Sequence, residues 1–295
     1  MTQPPRPPSG ASAAESLADA GFGRFSGARR YIADDTLMSD VNAAVALGRP
    51  LLVRGEPGTG KTRLAYAVAE SLGMELMTWH IKSTSTAQEG RYHYDVVQRL
   101  NDSRFAAVDG VDVRDIRRYI KLGVLGRAFT SPSQVVLLID EIDKADVEFP
   151  NDLLRELDEM AFAVPELDET ITARHRPVTI ITSNAEKELP DAFLRRCVFH
   201  YIRFPDLERI RKIVAAHLPS LEEELVQAAV ARFFELRRTQ GLRKKPSTSE
   251  LLDWLMVLSR AGVRPAEIAR RMPFLSVLVK QEKDLELVAS RMGEA

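Results

Sequence analysis

The sequence predicts an α/β fold, a central parallel sheet flanked by helices, followed by a small all-helical domain. Three observations carry that expectation. The first is a glycine-rich stretch, Gly55-Glu56-Pro57-Gly58-Thr59-Gly60-Lys61-Thr62, set between the apolar run Pro50–Arg54 and a helical stretch, Arg63 to Leu72. In that stretch Leu64, Ala65, Val68, Ala69 and Leu72 share one stripe, and Gly73 reads as a helix stop. The second is a pair of continuous apolar runs, Val135–Ile139 and Pro177–Thr182, the mark of strands buried on both faces of a parallel sheet. The third is a change of texture after about Pro205, beyond which only helical periodicity follows.

The elements follow in order. Residues 1–27 are rich in Pro, Ser, Ala and Gly, and Pro4, Pro5, Pro7 and Pro8 exclude a helix interior or central strand, so a flexible leader is expected. The α/β domain is expected over 28–205 and the helical domain over 206–295. A helix is expected over Asp34–Leu47. The segment Glu75–Lys82 is strand-like, with Leu76, Thr78 and His80 alternating against Met77, Trp79 and Ile81. A polar loop, Ser83–Gly90, leads through Arg91–Asp95 into a helix ending near Leu100, and a further helix is expected over Asp112–Leu122. Phe162–Arg176 reads as a β-hairpin with Pro165–Glu169 at its tip. Four helices are expected after it, over Leu207–Leu218, Leu221–Arg238, Ser249–Arg260 and Pro265–Val279. Leu221, Leu225, Ala229 and Phe233 form a core-facing stripe on the second.

Composition sets bounds on function. With 295 residues, 45% hydrophobic and 28% charged, the chain is long enough for one large domain or two ordinary ones. A net charge of −1 supplies no global field for nucleic acid. The single cysteine, Cys197, excludes an internal disulfide and reads as a buried structural thiol. No apolar run is long enough for a membrane span and no secretory signal is evident, so a cytoplasmic location is expected, with peripheral membrane attachment left open. His80, His93, His175, His200 and His217 lack zinc-type spacing, so no structural metal is expected beyond Mg2+.

The glycine-rich stretch matches G-x-x-x-x-G-K-[ST] at every fixed position. Its glycines let successive N–H groups point inward as an anion cradle, to which the next helix adds its positive end. Lys61 is expected to reach the β- and γ-phosphates of a nucleotide, and the Thr62 hydroxyl to ligate Mg2+. The expected nucleotide-binding set is Gly55, Glu56, Pro57, Gly58, Thr59, Gly60, Lys61, Thr62 and Arg63. The run Val135–Ile139 ends in Asp140 and Glu141, at the sheet edge where ligands bind in open α/β folds. Asp140 suits the Mg2+ shell opposite Thr62, and Glu141 suits the orientation of an attacking water; a strand-end acid pair can also simply cap a helix. Asn184, after the next apolar run, is placed to meet the water or the γ-phosphate, although Ser183-Asn184 alone would read as a turn. Arg195-Arg196 can reach the γ-phosphate of a neighbouring subunit, or form a solvated basic pair or a bridge to Asp191.

These elements in this order resemble the AAA+ ATPases over about residues 28 to 280. The match sets Walker A at Gly55 to Thr62, Walker B at Val135 to Glu141, sensor 1 at Asn184 and an arginine finger at Arg195 or Arg196. Within them the chain is similar to the MoxR family and its CoxD-like branch. The cues are Ser83–Thr86 leading to Tyr92–Asp95, then Leu125–Phe129, Asp140–Ala145 and Lys245–Leu251. The resemblance implies an ATP- and Mg2+-dependent hydrolase in a homo-oligomeric ring, usually hexameric. It also implies a chaperone-like role in maturing a client metalloenzyme and a partner protein with a von Willebrand factor A domain. For this branch the implied client is a molybdenum hydroxylase with a Cu–S–Mo site, such as carbon monoxide dehydrogenase. It further implies a pore-facing insert near Ser83–Val97, although Tyr92 and Tyr94 also suit ordinary packing.

One departure from the family pattern stands out. The helix that often begins with a sensor 2 arginine here begins Ser247-Thr248-Ser249-Glu250, a capping box. Arg243, Lys244, Lys245 or the helix N-terminus are left to sense the phosphates. Two other functions fit parts of the sequence. A DNA-acting AAA+ protein of clamp-loader or helicase-loader type would use the basic loop Arg237–Lys245, and a P-loop kinase would use the same cradle. The acid pair, Asn184 and the tandem arginine favour hydrolysis in an oligomer.

Overall fold

The computed structural model describes residues 25–28, 31–109 and 112–292, so most of the expected leader, 1–24, lies outside the described residues. The chain divides into two compact units. One is built on Ala33–Gly55 and Lys61–Tyr201, the other on Glu56–Gly60 and Ile202–Ala295.

The first unit carries a five-stranded sheet of β1 (Leu51–Gly55), β2 (Leu76–His80), β5 (Val136–Asp140), β8 (Val178–Ser183) and β9 (Val198–Ile202) in the order β2-β5-β8-β1-β9. Its strands are parallel, with Leu76 opposite Val136, Val136 opposite Val178 and Leu51 opposite Ile180. β5 and β8 are buried at every residue, which is why their sequences are unbroken apolar runs instead of alternating ones. The helix α1 (Asp35–Leu47) starts where the Asp34 carboxylate accepts the Leu37 N–H at 2.8 Å. The helix α2 (Lys61–Leu72) buries Leu64, Ala65, Val68 and Ala69. Leu52, Leu137, Ile139 and Ile181 form the centre of the core with Phe129 and Phe193.

Around the sheet, α3 (Ala87–Arg91) leads into β3 (Tyr92–Tyr94), α4 (Val96–Asp109) and β4 (Ile120–Leu122), before α5 (Val124–Thr130). The helix expected over Asp112–Leu122 does not form. Ile116–Tyr119 is a short 3-10 turn, and β4 pairs antiparallel with β3, Tyr92 opposite Leu122. Tyr119 is fully buried and donates its hydroxyl to Asp102, and Lys121 bridges Asp95 at 2.7 Å. Pairing with a distant strand outweighs a helix-compatible local pattern, as β-formers such as Ile116, Tyr119 and Ile120 permit. α4 itself runs past the expected end near Leu100. After α6 (Phe149–Asp152) and α7 (Leu154–Glu159), the expected hairpin forms from β6 (Ala161–Val164) and β7 (Glu169–Thr172), with a 3-10 turn over Pro165–Leu167. The short helix α8 (Asp191–Leu194) precedes β9.

The second unit is helical: α9 (Leu207–His217), α10 (Glu223–Arg238), α11 (Thr248–Arg260), α12 (Pro265–Arg270), α13 (Leu275–Leu278) and α14 (Glu282–Met292). The stripe on α10 buries Leu225, Ala229 and Phe233, with Leu221 packed at the rim. The capping box at α11 is complete, Ser247 and Glu250 each accepting from the other's backbone N–H. The helix expected over Pro265–Val279 is broken. Pro273 cannot continue it, Phe274 turns left-handed at φ 59°, and the Trp254 indole N–H is bound by the freed Pro273 carbonyl at 2.6 Å. α14 was not expected; its Val288 completes the core.

Candidate functional site

The C-terminal edge of the sheet collects the predicted residues because β1, β5 and β8 all end there. β1 stops at Gly55 and α2 starts at Lys61, so the glycine-rich loop joins a central strand to a helix N-terminus. Lys61 is buried and its ammonium donates to the Gly55 carbonyl at 2.8 Å, while Arg63 is exposed. Between them the Thr62 hydroxyl donates to Asp140 Oδ1 at 2.9 Å. The loop residues Glu56–Gly60 group with the helical unit. Gly58 (φ +74°), at a variable position of the pattern, and Gly60 (φ +91°), at a fixed one, hold left-handed backbone there, which glycine adopts without strain. Glu56 and Pro57 are exposed, and the Thr59 hydroxyl closes the turn on the Glu56 carbonyl at 2.8 Å.

Thr182, from the end of β8, sets the acid pair. Its hydroxyl donates to Asp140 Oδ1 at 2.7 Å and accepts the Glu141 N–H at 2.8 Å. Glu141 holds φ 60°, left-handed backbone at a non-glycine residue, a strain of roughly 1–3 kcal/mol of the kind that gathers at functional sites. Its carboxylate accepts from Asn184 Nδ2 at 3.1 Å and from the Lys144 ammonium. That hydrogen bond to Glu141 raises the Lys144 pKa above its ordinary value. Buried Asp143 accepts the N–H groups of Asn184 and Glu186, at 3.2 and 2.9 Å, and so fixes the segment that carries Asn184. On the other side His80, at the end of β2, places Nδ1 3.2 Å from Asp140 Oδ2.

Lys61, Thr62, Asp140, Glu141 and Asn184 are therefore brought together. Arg195 and Arg196 are not. They precede β9, whose first residue, Val198, bonds through its N–H to the Pro50 carbonyl at the start of β1. They stand at the sheet edge opposite the C-terminal ends of β1, β5 and β8. Arg195 is exposed. Arg196 bridges Asp158, not Asp191, and donates to the Ala192 carbonyl at 2.8 Å. Between these arginines and β9, the Cys197 thiol donates to the Phe193 carbonyl at 3.4 Å, and burial pushes it up to about 12, which removes it as a nucleophile.

Sequence reasoning missed His80, Thr182, Asp143 and Lys144. Strand register alone sets His80 opposite Asp140, a relation no local spacing reveals. Lys144 was legible, since residue i+3 after an acid can return to it. The chemistry of the set suits a phosphate with its cation: the paired oxygens of Thr62 and Asp140 are hard donors of the kind Mg2+ takes, beside a buried ammonium and a helix N-terminus. In the basic stretch Arg237–Lys245, the Arg237 side chain bridges Glu56 and the backbone N–H groups of Arg243 and Lys244 bind Asp284, while Arg238, Arg243, Lys244 and Lys245 are exposed.

Comparison with known proteins identifies a family and distant relatives. Residues 50–197 match the family model of the AAA domain (dynein-related subfamily). The mitochondrial Lon protease homolog of Phaeodactylum tricornutum is 26% identical over 83% of this chain and 25% of its own length. The pachytene checkpoint protein 2 homologs of Sus scrofa and Mus musculus are 24% and 25% identical over 83% of this chain, and 57% and 56% of their own. The chain thus spans between a quarter and just over half the length of the relatives it matches.

Proposed function

We propose, because this chain belongs to the AAA domain family in its dynein-related subfamily, that it is an ATP-hydrolysing remodeller which works as a homo-oligomer. Domains of this family are nucleotide-hydrolysing, typically with Mg2+, and usually oligomeric. The observation that carries the reading is the hydrogen-bonded series Thr62–Asp140–Thr182–Glu141–Asn184 at one sheet edge, with Arg195 exposed at the other.

In this reading the glycine loop and Lys61 bind the phosphates of ATP. Thr62 and Asp140 would hold Mg2+, which would supply charge neutralisation to the phosphates. Glu141 orients the attacking water and takes up its proton. Asn184 aims the Glu141 carboxylate, and Thr182 fixes the backbone that presents it. Lys144 holds the other carboxylate oxygen and must yield it for Glu141 to act as a base. Arg195 serves a neighbouring subunit's γ-phosphate, and Arg196, held by Asp158, braces it.

The client is read as another protein. Val96 and Val97, 56% and 70% exposed at the end of the segment 83–97, offer an apolar surface for it. The narrower reading, a MoxR-type factor that assists metal-cofactor assembly in an enzyme such as carbon monoxide dehydrogenase alongside a von Willebrand factor A protein, rests on the sequence resemblance. The rival DNA-acting function would rest on the exposed Arg238, Arg243, Lys244 and Lys245, and the net charge of −1 gives it no wider field.

The test is Glu141→Gln. ATP binding is expected to persist while steady-state phosphate release falls by at least about 100-fold. The same variant, used as a bait in pull-downs, should retain a client protein in ATP. Undiminished hydrolysis would remove Glu141 from its role.

A further inference from the structure

Arg237, in the last turn of α10, is buried to an unusual degree for its type. Its side chain is 9% exposed, and three different groups hold it. Nη2 bridges Glu56 Oε2 at 2.8 Å. Nη1 donates to the carbonyl of Pro246, the residue before the Ser247 cap of α11. The guanidinium plane lies 3.3 Å from the centroid of the Phe204 ring, at the start of the helical unit. Glu56 is the first variable residue of the glycine loop, and its side chain is 46% exposed. The same loop meets α11 directly: a Cβ on Gly58 would lie 2.3 Å from Ser247 Cβ, so only glycine admits this approach. All these residues fall in one compact unit.

The contacts form a chain: Glu56 in the loop, Arg237 at the end of α10, the Pro246 carbonyl, and the N-terminus of α11. A guanidinium suits the junction because its fixed fork donates in two directions while its face stays on an aromatic ring. An ammonium donates in any direction but cannot stack in that plane. The arginine has lost most of its water, so the carboxylate and the carbonyl are its replacement solvent. A loop held in its phosphate-binding turn before nucleotide arrives loses less conformational freedom on binding.

We propose that Arg237 is a positioning residue that holds the glycine loop ready for nucleotide through Glu56 and ties that loop to the N-terminus of α11. It supplies from the end of α10 the connection that a sensor arginine at the start of α11 would otherwise make. This rests on the reading of the chain as an ATPase.

The experiment uses the full chain and reads KM for ATP, kcat and melting temperature together for Arg237→Ala, Arg237→Lys, Glu56→Gln and the Glu56→Gln/Arg237→Ala double variant. KM is expected to rise about fivefold in each of Glu56→Gln and Arg237→Ala, with kcat changed less than about twofold, because preorganisation governs binding and not chemistry. The double variant should be no worse than the weaker-binding single variant, since both break the same Glu56–Arg237 bridge. Arg237→Lys should recover part of the loss. Glu56 lies on an exposed loop, so Glu56→Gln gives a reading even where Arg237→Ala unfolds the helical unit. A melting temperature lowered in Arg237→Ala with KM unchanged in Glu56→Gln would make Arg237 a purely structural residue and overturn the proposal. Multiplying effects in the double variant would do the same. If the wild-type chain itself fails to bind or hydrolyse ATP, the proposed function falls; if it does both and Glu56→Gln leaves KM unaltered, only the role of Arg237 falls.

Discussion

Thr182 has one hydroxyl and two obligations, donating to Asp140 and accepting from the Glu141 N–H, and it is fully buried. Valine matches its shape but offers neither bond. Thr182→Val should therefore cost about 1–3 kcal/mol of stability through two unpaired neighbours. It should also lower hydrolysis by roughly 10- to 100-fold, because small misplacements at a reacting centre are expensive. Urea denaturation and phosphate release measure the two effects, and an unaltered rate would show that the acids hold their places without Thr182. Cys197 tests electrostatics at the same scale. With the thiol pushed up to about 12, the thiolate is scarce at pH 8 and grows as pH rises. Alkylation of the folded protein at pH 8 should run about a thousandfold slower than that of an ordinary exposed thiol, and should become fast on unfolding. Comparable rates folded and unfolded would place Cys197 in solvent. At this scale the sequence was informative where chemistry is local. Asp140 and Glu141 stand together because one strand ends there. Thr182 was hidden because its value lies in a register between β5 and β8.

Elements were legible where burial is uniform and hidden where a distant partner decides. β5 and β8 declared themselves as apolar runs, while β4 exists only because β3 lies across from it. The break between α12 and α13 was readable at Pro273, yet the apolar period on both sides masked it. The packing of α5 is a further case. A Cβ at Gly123, its N-cap, would stand 2.1 Å from the Glu89 carbonyl oxygen and 2.4 Å from that of Gly90. Both are backbone atoms at the end of α3 and cannot swing aside. Gly123→Ala should thus force α3 and α5 apart at a cost of about 1–3 kcal/mol or more. A shift of the urea midpoint reads this directly, and an unchanged midpoint would mean that the two helices are not held this close.

At the scale of the whole molecule, the proposed function leaves a single chain incomplete, because the charge chemistry is divided over the sheet. The acids, Lys61 and Asn184 gather at one edge, and Arg195 stands at the other, so under the proposed function Arg195 would meet a nucleotide only in an oligomer. Arg195→Ala should bind ATP normally and lose most hydrolysis, typically by about 1000-fold for such an arginine. The stronger expectation concerns mixtures. A Glu141→Gln subunit keeps its arginine, and an Arg195→Ala subunit keeps its water-orienting acid. Where the second holds ATP and the first borders it, every group is present. Mixed in equal amounts, two inactive preparations should recover up to about a quarter of wild-type hydrolysis, the share of such interfaces under random assembly. Activity per subunit should also rise with protein concentration as assembly proceeds. No recovery on mixing, at concentrations where light scattering shows co-assembly, would place the whole reaction within one chain and remove Arg195 from it.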